Sequence, residues 1–263
     1  MRHMLISVFV LAIVCGQVQA AMVTKELSYT QDGTTMRGLV AYDDAVRGIR
    51  PGVLVVHEWW GQNAYARDRA RQLAKLGYTA LAVDMYGNGK IAEHPKEAGE
   101  FAGAVAGNMP LARARFKAAL KALKRQPTVD PGHIAAIGYC FGGGIVLQMA
   151  RLGVDLDGVV SFHGSLASDI HPQKGQVKAA VRVFQGTNDP FVKPEDIETL
   201  KRDMATAGVD FRFVSYPGVK HSFTNPDATE LGKRFGLPLV YDAHADQDSW
   251  RKMQAFFKQI FGR

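Results

Sequence analysis

Cysteine is scarce in this chain: Cys15 and Cys140 are the two in 263 residues. Internal repeats, sustained heptads and low-complexity blocks are missing, which excludes solenoids, propellers, coiled-coil rods and compositionally biased tails. No grouping of histidine with acidic residues has the spacing of a zinc site, so no metal is expected. A dinucleotide-binding glycine loop starting at Gly138 would need glycine at position 140, where Cys140 stands, and no cofactor is expected. Long apolar runs are also wanting. The stretch MLISVFVLAIVC near the N-terminus falls short of the roughly 20 residues that cross a bilayer.

That stretch follows Arg2 and His3 and leads to Val18-x-Ala20, the pattern of a secretory leader cut between Ala20 and Ala21. Residues 1–20 are therefore expected to be removed. Residues 21–263 are expected to form a single exported domain, periplasmic and free of membrane contact. Cys15 departs with the leader and Cys140 is left without an internal disulfide partner. A lone exported thiol is an oxidation liability unless it is buried or used. Its position must decide between those readings.

The formal charge is +7, from 32 Lys and Arg against 25 Asp and Glu. Nucleic-acid or membrane contact is the first idea such an excess raises. Arg113, Lys117, Lys121 and Lys124, however, recur at helical spacing with Leu111, Ala118, Ala122 and Leu123 among them, as on the solvated face of an amphipathic helix. No nucleic-acid partner is expected. Hydrophobic residues at 47% and charged residues at 22% are ordinary for a globular enzyme, and the oligomeric state is left open.

Along the chain, two alternating runs flank Asp32-Gly33, a hairpin signal. GVLVVHE, YTALAVDM, HIAAIGY, LDGVVSFHG and AAVRVFQG read as buried strands, with DFRFVSYPG as the last. Helices are expected over AYARDRARQLAKLG, parts of 95–106 and 110–125, the stretch after Gly142, 194–207 and 244–261. Strands alternating with helices indicate an α/β fold: a mostly parallel twisted sheet covered on both faces, with an antiparallel N-terminal hairpin. In such sheets reactive groups gather beyond the carboxyl ends of the strands. Glu58, Asp84, Cys140, His163, Asp189 and His221 all fall there.

Gly138-Tyr-Cys140-Phe-Gly142 places a nucleophile type on a sharp strand-to-helix turn, with glycines two residues away on either side. The turn sets the thiol at a helix N-terminus, where the dipole favours thiolate, and aims the Phe141 N–H at the same point. A nucleophile of this kind needs a base and a group that orients the base. Asp189, in GTNDP, and His221, in VKHSF, follow in the chain order of such triads. Cys140, His221 and Asp189 are the expected triad. His163 has a weaker claim as a wall of the site, and Asp84 is expected to bond a loop. His57 is expected to point away from Glu58, if the strand pleat continues.

With HEWWG, YGNG, GYCFGG, GTNDP and KHSF in view, the chain resembles the dienelactone hydrolase (carboxymethylenebutenolidase) family of α/β-hydrolases over roughly 24–262. The resemblance implies a carboxylic ester hydrolase that opens lactones or small esters through an acyl-cysteine. The amides of Phe141 and Trp59 would form its oxyanion hole. It also implies that Glu58 accepts the resting thiol proton. Members of the family clamp a substrate carboxylate with arginines. The corresponding stretches here offer Tyr86, Asn88 and Lys90, and Asn225, which with His163 are the substrate-side candidates. Neutral amides cannot replace a bidentate guanidinium. A carboxylesterase of loose specificity, a thiol redox protein and a non-catalytic binder on the same scaffold are the competing functions.

Overall fold

The computed structural model describes residues 22–262, so the expected leader and its cut lie outside the described residues. Strands β1 (Met22–Gln31) and β2 (Thr34–Asp43) pair in unbroken antiparallel register from Met22 opposite Asp43 to Gln31 opposite Thr34. Their turn is Asp32-Gly33, at φ 46° and 74°. A two-residue hairpin loop that matches strand twist needs positive φ at both positions, and Asp-Gly supplies it.

Beyond the hairpin, β2 pairs antiparallel with β4 (Thr79–Val83). From there β3 (Arg50–Val56), β5 (Val129–Tyr139), β6 (Gly158–Phe162), β7 (Ala180–Gly186) and β8 (Phe211–Tyr216) run parallel. The eight strands lie in the order β1-β2-β4-β3-β5-β6-β7-β8. Helices α1 (Ala64–Lys75) and α7 (Ala243–Phe261) cover one face; α2 (Pro95–Ala106), α3 (Met109–Lys124), α4 (Phe141–Arg151) and α5 (Pro194–Ala207) cover the other. Strand β3 shows why its sequence is a continuous apolar run. Val53 and Val55 enter the core under α1 and α7, while Leu54 and Val56 enter the opposite one. On α3 the basic residues Arg113, Lys117 and Lys121 are exposed, while Phe116, Leu120 and Leu123 are buried. Among the described residues, no helix is long and apolar enough to cross a membrane.

Several element bounds are narrower than the sequence reading, and three departures have a visible cause. Strand β3 stops at Val56, two residues short of the apolar run, because the Gly142 N–H takes the His57 carbonyl at 3.0 Å and draws the chain out of the ladder. Strand β5 starts at Val129, earlier than HIAAIGY, because Val129 and Asp130 pair with Arg50 and Pro51 ahead of a register shift at Pro51/Gly52. A short helix, α6 (Ala228–Phe235), stands where no element was foreseen; two turns carry too little periodicity to be read.

Asp84 directly follows β4 and bonds a loop, as the sequence suggested. Its carboxylate accepts the N–H groups of Arg37, Tyr86, Gly87 and Gly89 at 2.7–3.0 Å and so fixes the following loop to the hairpin. Four orphan donors are satisfied by one buried side chain.

Candidate active site

Cys140 sits between β5 and α4 at φ 52°, ψ −116°, a backbone conformation that costs roughly 1–3 kcal/mol for a residue with a side chain. The neighbouring chain holds it there. The Cys140 N–H is shared between Phe162 O and His163 Nδ1, each at 3.1 Å, and Gly144 N–H closes on Cys140 O at 3.1 Å. The flanking glycines let strand and helix pass. A Cβ on Gly138 would lie 2.1 Å from Gly142 O, and one on Gly142 would lie 2.3 Å from Val56 O. Gly143, whose place in a helix is otherwise costly, packs where a Cβ would meet Gly164 Cα at 2.7 Å. The Phe141 N–H, first in α4, has no acceptor within its helix.

Asp189 follows β7 and His221 follows β8. Asp189 Oδ2 accepts His221 Nδ1 at 2.7 Å and Gln185 Nε2 at 2.6 Å, while Oδ1 accepts the Phe191 N–H at 3.0 Å. With Nδ1 committed to Asp189, Nε2 is left for the Cys140 sulfur, to which the His221 ring also hydrogen-bonds. The His221 carbonyl is held in turn by the Val240 N–H at 3.1 Å. The structure thus brings the three expected triad residues into one hydrogen-bonded row.

Burial opposes charge on His221, yet the Cys140 sulfur and the Asp189 carboxylate outweigh it and raise the imidazole to about 10. A histidine in the unfolded chain titrates near ~6.5. Between those values the folded protein holds a proton that the unfolded chain has lost. Stability from this row is fully present below ~6.5 and falls as pH rises through about 10. Compared by melting temperature, wild type should lead His221→Gln most at about pH 6, with the gap closing by about pH 10.5. A gap independent of pH would contradict this placement of the proton.

The remaining candidates lie as follows. Glu58 is 2% exposed; Oε1 accepts Ser222 Oγ at 2.8 Å and Oε2 accepts Asn225 Nδ2 at 2.6 Å. Burial raises its pKa, with both hydrogen bonds opposing. Asn225, expected on the substrate, is therefore spent on Glu58. Tyr86 is buried, with its hydroxyl on Trp59 O at 2.8 Å. Asn88 is exposed at φ 57°, and Lys90 Nζ stands 5.1 Å from the Phe101 ring centroid. His57 is tied by Nδ1 to Glu58 O and by Nε2 to the Met85 N–H.

His163 lies fully buried beneath the elbow. Its Nδ1 accepts the Cys140 N–H, so the neutral ring carries its proton on Nε2 and gives it to Thr224 Oγ1 at 2.7 Å; Thr224 in turn meets Tyr65 OH at 2.6 Å. Burial, helped by the charges of His221 and Arg69, holds His163 well below the usual histidine value and keeps it in this neutral form. It supports the turn rather than facing outward.

Cys140 and His221 open into a cavity of about 310 Å³. Its walls are Trp59, Phe141, Phe191, Val192, Leu237 and Leu239, with Ala102 and Ser165 completing it. Of the candidates, Trp59 and Phe141 line it; Tyr86, Asn88, Lys90, His163 and Asn225 do not. The sequence reading missed Phe191 and Val192, although their place directly after Asp189-Pro190 was a usable signal. Leu237 and Leu239 carried none. They arrive through a parallel bridge between Leu239 and His221 that no local pattern announces. A larger hollow of about 900 Å³ lies between β1 and α3, away from Cys140.

The dienelactone hydrolase family model matches residues 36–261. Protein usf of Aquifex pyrophilus is 29% identical over 238 residues, spanning 89% of this chain and 97% of that protein. Two solved structures superpose over 92% of this chain and 99% of their own. One is a dienelactone hydrolase-like promiscuous phosphotriesterase, P91, from metagenomic libraries, with 35% identity and a TM-score of 0.84. The other, m3DLH, has 36% identity and a TM-score of 0.87.

Proposed function

Because this chain belongs to the dienelactone hydrolase family, whose members are carboxylic ester hydrolases of α/β-hydrolase fold, we propose that it cleaves small esters or lactones through a covalent acyl-cysteine on Cys140. The observation that carries this reading is the row Asp189–His221–Cys140, with the sulfur raised on a strained turn and open to a cavity. His221 already holds on Nε2 the proton that the thiol has given up, and the sulfur, as thiolate, attacks the carbonyl carbon. The developing oxyanion is met by the N–H of Phe141 and that of Trp59, the second donor resting on the family resemblance. His221 then gives its proton to the departing alkoxide oxygen, leaving a thioester. In the second half, neutral His221 removes a proton from water, the hydroxide oxygen attacks the thioester carbon, and the thiolate leaves with the proton returned to the Cys140–His221 pair. Asp189 fixes the tautomer throughout, keeping Nδ1 protonated and Nε2 free to act.

In this reading Glu58 is a positioning residue. Both of its oxygens are already engaged by Ser222 and Asn225, and those bonds brace the segment that starts at His221. The domain, 21–263, acts in the periplasm after the leader 1–20 is removed. Of the competing hydrolase readings, the apolar walls favour the carboxylesterase of loose specificity over a dedicated lactonase for a charged ring.

Intact-mass measurement tests these statements together. Protein recovered from the periplasmic fraction should begin at Ala21, and rapid quenching with 4-nitrophenyl acetate should add one acetyl group, removable by neutral hydroxylamine. Turnover without an adduct on Cys140 would point to direct water attack and defeat the covalent route.

A further inference from the structure

Resting on that reading of the site, we propose that its substrates are uncharged and apolar around the reacting carbonyl, and that the rim residue Phe191 helps to set this preference. Apart from His221, no charged side chain lines the cavity, and Ser165 is its one uncharged hydroxyl. His221 is already committed to Asp189 and to the sulfur.

Arg69, Arg115 and Lys90 supply no cation to these walls. Arg69 Nη2 is bound to Thr224 O at 2.6 Å and Asp246 Oδ1 at 2.5 Å. Arg115 Nη1 is bound to Met85 O and Tyr86 O at 2.8 and 3.0 Å. Lys90 is exposed over Phe101, outside the walls. Asn225, the amide best placed by sequence, donates to Glu58.

A carboxylate carried into such a cavity loses water and meets no free cation to pair with, a costly transfer for an ionised group. An alkyl or aryl group meets Leu237, Leu239, Val192 and the ring of Phe191 instead. Phe191 is 53% exposed, an unusual position for so large an apolar side chain, and its ring stands edge-on to His221 at 4.9 Å. It extends the apolar wall to the mouth, where a second substituent of the ester would lie. The volume sits near the lower end of the range of about 300–1,000 Å³ common for ligand pockets, which keeps those substituents short.

The test uses three esters that share a six-carbon acyl chain: 4-nitrophenyl hexanoate, the mono-4-nitrophenyl ester of adipic acid, and its methyl-capped diester. Wild type should turn over the hexanoate and the capped diester with similar kcat/KM and the free acid at least about 100-fold more slowly. The capped diester separates charge from chain length and polarity. Phe191→Arg, at an exposed site that accepts a charge without unfolding, should move the acid-to-hexanoate ratio by about 10-fold or more toward the acid. Equal rates on the acid and the hexanoate would overturn the inference while leaving the hydrolase reading intact. Loss of all hydrolysis in wild type would overturn that reading and the inference with it. An unchanged ratio in Phe191→Arg would remove Phe191 from the account.

Discussion

Cys140→Ala is expected to lower kcat/KM on any substrate of the wild type by at least about a thousandfold while leaving the protein folded. Loss of the sulfur removes the covalent route and leaves only binding and the oxyanion donors. Among the described residues Cys140 is the free cysteine, so no other thiol stands in for it. The fold should survive because alanine keeps the Cβ and the strained φ of 52°, and the hydrogen bonds that shape the turn run through backbone atoms. His221→Ala should cost a similar factor. The double variant should be no worse than either, since the two act as one unit. Circular dichroism and a melting curve establish that each variant is native. Near-wild-type rates from a folded Cys140→Ala protein would end the case for a cysteine nucleophile.

The second large effect is on stability. Gly138→Ala adds one methyl group at the most crowded of the described glycines. Its Cβ would fall 2.1 Å from Gly142 O, 2.3 Å from Gly142 C and 2.7 Å from Gly143 N. All three are backbone atoms of the first turn of α4, which is pinned to His57 O through the Gly142 N–H. No side chain can rotate away, so the strand or the helix must shift. The expected cost is about 3 kcal/mol or more, at the upper end for overpacking. Gly99→Ala provides the contrast. That glycine is exposed in α2 with nothing within 4 Å of its would-be Cβ. The same substitution there should stabilise by about 0.5–1 kcal/mol. If urea unfolding gave the two variants similar midpoints, close packing at the elbow would not be the reason for Gly138.

The contrast also shows which features the sequence could disclose. Gly138, Cys140 and Gly142 are legible because the constraint is local: three residues make one turn, and only glycine fits beside it. Asp189 and His221 are legible by order and by their places after strands. The direction of a side chain beyond a strand end is a different matter, since it depends on where the chain leaves the ladder. His163 was visible as a type but not as a support, because its orientation is set by Thr224, 61 residues away. Asn225 stands three residues after Ser222, yet its partner, Glu58, is 167 residues distant. The walls supplied by Leu237 and Leu239 depend on a bridge to His221 that has no period and no turn signature.

That bridge separates two duties of the chain. The candidate reacting groups stand on short turns fastened to the sheet, whereas one side of the enclosing wall, Leu237 and Leu239, belongs to the stretch after α6, outside the strand ladder. Exchanging that stretch for one of different shape would recast one side of the pocket while Cys140, His221 and their spacing stayed in place, provided that the Val240 amide still reached the His221 carbonyl. The architecture therefore offers an exchangeable side to the enclosure around a fixed Cys140–His221–Asp189 row, and directed evolution for new ester scope has a natural target in residues 236–242.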